Sequence, residues 1–491
     1  MSAISSPSQS VPVARGNGAP QLSLLEIDAS CRAPVLLLFV SAAVWLFLGS
    51  ALGLIATLKF HSPDILANCA WFTYGRVHPA HLNAFVYGFA AQAAFGVLFY
   101  ILSHLGRTRV AFVPGIIIGA LLWNLGVTAG VLGILYGENT GFEWLEMPRY
   151  ASVTLFFAYL FIGLGAMQTF HQRRERQLYI SQWFLLAALF WFPWIYSTAN
   201  ILLVAKPVRG ALQAAIAWWY AGNLMTVWFG FLGLAATFYF IPKLTKRPLH
   251  SHYLGIFTFW TLAIFGSWGG IPADSPLPAW MPAMSTFASV LTIVPILAVA
   301  LNVRGTLSGA WSKMGENPSL KFIVFGSVAY VLASLAGALS STAHISEITN
   351  FTWFNPAQTQ MFLYGFFAMT MLGAIYYIVP RLMQAEFPSP KLVGLHFWLA
   401  MLGILLYVLA LGIGGVKEGF ALNKDNGAFL NVITSTLPFL RASTTGDLLM
   451  IIGHLLLLLN LGGLLLRLGR VSAKDAKAAW VDNTKTVEVV S

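Results

Sequence analysis

The chain has 491 residues, of which 58% are hydrophobic and 9% charged, with a mean hydropathy of +0.73 and a net charge of +11. A soluble protein carries about 25% charged residues, so a water-soluble globular fold is excluded and a polytopic membrane protein is indicated. The positive charge does not mark a nucleic-acid partner, because the basic residues lie in loops and tails between apolar spans, where they set orientation in the bilayer.

Residues 1–33 are rich in Ser, Pro, Gly and Ala and lack the apolar stretch of a signal peptide, which predicts a flexible cytoplasmic tail. Twelve apolar runs follow, each long enough to cross a membrane as a helix: 34–58, 79–103, 110–136, 150–170, 181–204, 213–241, 254–271, 280–302, 321–343, 357–380, 393–415 and 443–468. Together they predict an all-α membrane domain over 34–468, followed by a cytoplasmic tail over 469–491. Of the 28 Lys and Arg residues, 20 fall in the termini and even-numbered loops and 8 in the odd-numbered loops. The bias places both termini in the cytoplasm, and the N-terminal end of the second helix near the outer face. The two cysteines, Cys31 and Cys69, are then expected on opposite sides, and neither belongs to a CxxC or CxxCH motif.

The second run opens with a dense polar motif, Gly75-Arg76-x-x-Pro79-x-His81-x-Asn83-Ala84, with His78 beside it. The motif resembles the second transmembrane helix of haem-copper oxidase subunit I, above all the cbb₃-type cytochrome c oxidase catalytic subunit. Three further stretches resemble the same family in the same order: Trp218-Trp219-Tyr220 with Asn223, Leu307-Ser308-Gly309-Ala310-Trp311-x-Lys313, and Phe354 through Leu382. The resemblance implies twelve transmembrane helices in three four-helix units.

The chain carries its own sign of such a repeat. Phe99-Tyr100, Phe238-Tyr239 and Tyr376-Tyr377 close the second, sixth and tenth runs, the latter two within FYFIPKL and YYIVPRL. The tyrosines stand 139 residues apart (100 to 239) and 138 apart (239 to 377). Interfacial tyrosines followed by Pro and a basic residue also mark inner helix ends in general, but near-equal spacing favours a repeat.

What the resemblance implies for chemistry is mostly missing from the residues. Haem iron and copper take neutral imidazole nitrogens at fixed positions. The family's low-spin haem ligand on the second helix corresponds to His81, and Arg76 is expected either to pair with haem propionates or to anchor the helix at the outer face. The copper-ligating histidine of the sixth helix corresponds to Gly222, and the two copper-ligating histidines after the seventh have no counterpart in 268–274. The His-x-His of the tenth helix reads Gln358-Thr359-Gln360, and an acidic position of the ninth helix reads Ala336. The cross-linked tyrosine of the seventh helix falls nearest His252, with Tyr253 beside it. The expected cofactor content is therefore at most one b-type haem, through His81, and no copper. Trp218, Trp219 and Phe354 are expected to fill the space left by the haems.

Inside the spans, ionisable groups are few, and each is a functional hypothesis. Asp447 and His454 lie seven apart on one face of the last helix, as a proton-tuning pair or as hydrogen-bonding contacts to a neighbouring helix. Gln92 is expected to hydrogen-bond between helices, and no continuous chain of acidic or basic residues marks a proton route.

Three readings stand. The favoured one is a divergent, non-catalytic structural or regulatory subunit of a respiratory electron-transfer complex in the bacterial inner membrane, partnered by other respiratory membrane subunits such as membrane-anchored c-type cytochromes. The alternatives are a functional terminal-oxidase subunit with one haem on His81, and a transporter or channel on the same scaffold.

Overall fold

A computed structural model describes residues 22–424 and 428–488, with side chains described as far as 467. No strand occurs among the described residues. Among the described residues, eleven helices are long and apolar enough to cross a membrane: α1 (Leu24–Leu58), α2 (Tyr74–Gly106), α3 (Val113–Tyr136), α4 (Arg149–His171), α5 (Ile180–Ala205), α6 (Ala211–Thr245), α8 (Trp280–Leu307), α9 (Pro318–Ser340), α10 (Phe354–Met383), α11 (Pro390–Leu422) and α12 (Phe429–Arg467). The twelfth apolar helix, α7, is His252–Gly266. Its 15 residues rise about 22 Å, short of the ~30 Å hydrocarbon thickness. The run predicted to continue to 271 stops at Gly266 because Gly269 and Gly270, the latter at φ +105°, turn the chain inward.

The helices form an inner set and an outer set. The most apolar stretches of α2, α6 and α10 are 100%, 89% and 94% buried, whereas those of the other spans are 39–50% buried. Tyr100, Tyr239 and Tyr377 converge at one end of the inner set, with the Tyr100 ring 6.3 Å from Tyr239 and 6.4 Å from Tyr377. The repeat goes further than the tyrosines. Each inner helix contains a π-helical turn, at Ala84–Ala90, Asn223–Phe229 and Met361–Ala368, and these start points keep the same two intervals as the tyrosines. A fourth π turn, Asn200–Ala205, ends α5. π turns interrupt regular α packing and frequently accompany functional sites.

The N-terminal boundary needs correction. Residues 24–33 are helical rather than tail, and residues 1–21 lie outside the described part. A capping box starts α1: the Glu26 N–H donates to Ser23 Oγ at 3.2 Å, and the Ser23 N–H donates to Glu26 Oε2 at 2.9 Å. Asp28, which makes this segment look solvated in the sequence, is buried between His104 Nε2 and Arg381 Nε, each 2.9 Å from one carboxylate oxygen. Charge pairing thus allows the helix to begin ten residues before the apolar run. At the other end, the helix of α12 continues to Glu488, so the predicted tail over 469–488 extends it. Both cysteines are free, with the buried Cys31 Sγ 3.1 Å from Ser103 Oγ.

Candidate functional site

In the N-terminal halves of α2, α6 and α10, the residues that the sequence singled out each lie just ahead of a π turn, and Gly222 and Gln358 share one cavity wall. His81 and Gln358 precede theirs by three residues, and Gly222 and Gln360 by one.

His81 rests on a face of α1 made flat by two glycines one turn apart. Its Nδ1 is 2.8 Å from the Gly49 carbonyl oxygen, so this nitrogen carries the proton and donates. A Cβ on Gly53 would lie 2.8 Å from the imidazole, which only a glycine at that position permits. The half-buried ring has no other hydrogen bond among the described residues, which leaves Nε2 as a free acceptor. A backbone carbonyl on one nitrogen and an open second nitrogen is the arrangement that fixes a metal-binding imidazole. Aromatic rings gather at the N-terminal end of α2: Tyr74 stacks on His78 at 5.1 Å, Phe60 lies 5.5 Å from Tyr74, and Trp353, at the start of α10, lies 4.6 Å from Phe60. With Nδ1 held and Nε2 open, His81 would suit a b-type haem, which would supply electron-transfer or gas-binding chemistry. Gln360 is half-buried, and glutamine would be a weak ligand in place of imidazole.

Arg76 points elsewhere. Its guanidinium donates to the Leu135 carbonyl at 3.3 Å, at the C-terminal end of α3, where a cation offsets the exposed carbonyls.

Gly222 differs in kind. A Cβ on Gly222 would stand 2.9 Å from the Gly269 carbonyl oxygen and 3.0 Å from Gly270 Cα. A Cβ on Gly270 would in turn stand 2.9 Å from the Trp218 carbonyl oxygen. The chain after α7 therefore packs backbone against backbone onto α6, and an imidazole at 222 has no room without displacing it. Among the described residues, no three or more His, Cys, Asp or Glu side chains gather as metal ligands. Gln358 turns its amide to α9, donating to the Ala333 carbonyl at 3.2 Å against Gly337, where a Cβ would meet it at 2.8 Å.

The space beside this contact is not filled, contrary to expectation. A cavity of about 350 Å³ lies among α6, α7, α9 and α10, with Trp218, Gly222 and Gln358 in its wall. Trp218 borders the cavity instead of plugging it, Trp219 packs on Trp194 with ring centroids 5.7 Å apart, and the Phe354 backbone abuts Gly415. Trp219 and Phe354 do not line the void, and Trp218 forms part of its wall.

The last helix keeps its two polar residues apart. His454 Nδ1 is 2.7 Å from Ser50 Oγ on α1, and its Nε2 bonds the Tyr364 hydroxyl on α10. Asp447 instead bonds the Thr57 side chain. The two therefore form separate interhelical contacts and not one proton-sharing pair. Gln92 does bond between helices, exchanging hydrogen bonds with Asn124 of α3 at 2.9 and 3.2 Å.

Two acids escaped the sequence reading, Glu143 and Glu146, in the loop between α3 and α4. Glu146 Oε2 accepts from Asn83 Nδ2 at 2.8 Å, two residues beyond His81, and burial pushes its carboxyl up to about 7 despite that donor. Glu143 lines the cavity as an exposed residue, unlike buried Glu146, and partial desolvation raises its carboxyl above the ordinary range. Only their proximity to an apolar run, in FEWLEMP, could have drawn attention to them. Nearby, Tyr87 and Tyr220 share a 2.8 Å hydrogen bond that ties α2 to α6.

Comparison with known proteins agrees with this architecture. The family model for cytochrome c and quinol oxidase polypeptide I matches residues 33–449. The cytochrome c oxidase subunit 1 homolog of Azorhizobium caulinodans is 26% identical, over 91% of this chain and 84% of its own length. The cbb3-type cytochrome c oxidase subunit CcoN1 of Stutzerimonas stutzeri is 25% identical, over 84% and 89%. A solved haem-copper terminal oxidase dimer superposes with a TM-score of 0.70, covering 89% of this chain and 84% of that one at 14% identity. The chain is an integral membrane protein that belongs to the cytochrome c and quinol oxidase polypeptide I family and has the fold of haem-copper oxidase subunit I.

Proposed function

We propose that this chain is a non-catalytic member of the family, a structural or regulatory subunit of a respiratory electron-transfer complex in a bacterial inner membrane. The observation that carries the reading is the contact of Gly222 with Gly269 and Gly270, which occupies the place a copper-ligating imidazole would need. Gln358 and Gln360 at the tenth-helix positions support it, since glutamine is a poor haem ligand. Membrane-anchored c-type cytochromes are the partners this reading expects, and both termini face the cytoplasm.

A second reading has one specific observation in its favour. His81, with Nδ1 held by Gly49 and Nε2 open, suits a single b-type haem, which would supply electron transfer or gas binding. This chain's part would be to orient the imidazole and to shield the outer edge with Phe60, Tyr74 and Trp353.

One preparation separates the readings. Purified protein is assayed for oxygen consumption with reduced cytochrome c, for copper by mass spectrometry, and for haem by pyridine haemochrome, alongside His81→Ala. The non-catalytic reading expects no turnover and no stoichiometric copper. Oxygen reduction without a co-purifying active homologue would sink it. Haem that is present in the native chain and lost in His81→Ala would establish the single-haem form.

A further inference from the structure

The cavity beside Gly222 has a one-sided chemistry. No Lys, Arg or His contributes to its wall, and its single carboxyl is Glu143. Glu143 makes no salt bridge among the described residues. Two helices end on the cavity, α7 through Leu262 and Gly266, and α9 through Gly337 and Ser340. Helix C-termini present carbonyl oxygens and partial negative charge. The opposing N-terminus of α10 is already offset: the Trp353 N–H donates to Glu418 Oε2 at 3.0 Å, and the Phe354 N–H to Thr352 Oγ1 at 3.3 Å. The net field inside therefore favours a cation.

The wall also says which kind of cation. A bare metal ion demands six or more oxygen ligands or several imidazoles and carboxylates, and only one carboxyl is here. The wall instead includes the aromatic side chains of Trp144, Trp218, Tyr330 and Phe362, a residue type whose π faces attract weakly hydrated organic cations. At about 350 Å³ the space falls at the small end of ligand pockets. We propose that this cavity binds a small organic monocation, an alkylammonium or quaternary ammonium, against these four rings with Glu143 as counter-charge. The inference rests on the non-catalytic reading, because a haem or copper in this space excludes the ligand.

The test is isothermal titration of the purified full-length chain with choline, with 3,3-dimethylbutan-1-ol as the uncharged isostere. Saturable choline binding is expected, with the isostere weaker and Glu143→Gln weakened about tenfold. Trp218→Phe keeps a smaller π face and loses less. Thermal midpoint and gel-filtration profile serve as folding controls for both variants. No saturable binding by a haem- and copper-free preparation overturns the cavity proposal and leaves the functional reading standing. Equal binding of the isostere, or binding untouched by either variant, also overturns it. Copper or a second haem in the same preparation sinks both together.

Discussion

Glu146 shows how one buried side chain in a membrane protein becomes a measurable pH effect. Its carboxyl is 7% exposed and is raised from 4.5 to about 7 by burial, only partly opposed by the hydrogen bond from Asn83. In the unfolded chain the group ionises near 4.5, whereas the folded protein holds the proton to about 7. Between these values the folded state binds more protons, so its stability falls as pH rises, by about 3 kcal/mol at most. The thermal midpoint of the detergent-solubilised chain should therefore drop between pH 5 and pH 8, and Glu146→Gln should remove most of that slope. An unchanged slope in the variant would assign the pH response to other groups. This acid was not legible in the sequence, since burial of a loop carboxyl is set by the helices around it. His81 was legible, because its motif is local. The seat formed by Gly49 and Gly53 was not, because it lies some thirty residues away on another helix.

At the scale of single helices, α12 is held by hydrogen bonds placed two turns apart. His454 joins α12 to α1 through Ser50 and to α10 through Tyr364, in a region with no water to replace a lost partner. His454→Phe keeps the ring volume but leaves the Tyr364 hydroxyl without this partner and Ser50 with only its bond to the Leu46 carbonyl, which should cost about 1–3 kcal/mol. The measurement is a lowered unfolding midpoint, with Ser50→Ala added to His454→Phe costing less than it does alone. A full additive loss would show that Ser50 and His454 act independently. The sequence placed Asp447 and His454 on one face correctly, since helical periodicity is enough for that. Which neighbour each one meets depends on helix packing, which periodicity does not encode. The same limit hid the start of α1: Glu26, Asp28 and Arg32 look like solvent-facing charge until His104 and Arg381 are brought beside Asp28.

For the molecule as a whole, the threefold plan was the most legible feature. Tyrosines at near-equal intervals pointed to it, and the π turns of α2, α6 and α10 repeat those intervals inside the bundle. The number of full spans was less so, because composition cannot tell where the apolar run after His252 leaves the helix. Charge distribution adds a prediction that the fold by itself does not make. With 20 basic residues on one side and 8 on the other, a green fluorescent protein fused after the C-terminus should fluoresce, and alkaline phosphatase inserted in the Lys206–Arg209 loop should be active. Activity in the reverse pattern would invert the topology. The cavity, by contrast, was masked by the aromatic composition around it, since Trp218 and Trp219 suggest filling until their directions are known.

The meeting of Gly222 with Gly269 and Gly270 also bears on reversibility. A ligand lost by a side-chain change alone can return through one codon. On the non-catalytic reading proposed above, the Gly269 carbonyl and the Gly270 backbone stand where a side chain at 222 would begin, so histidine at 222 alone meets a carbonyl and not an open coordination site. A metal centre there would need the segment after α7 to withdraw as well as new ligands.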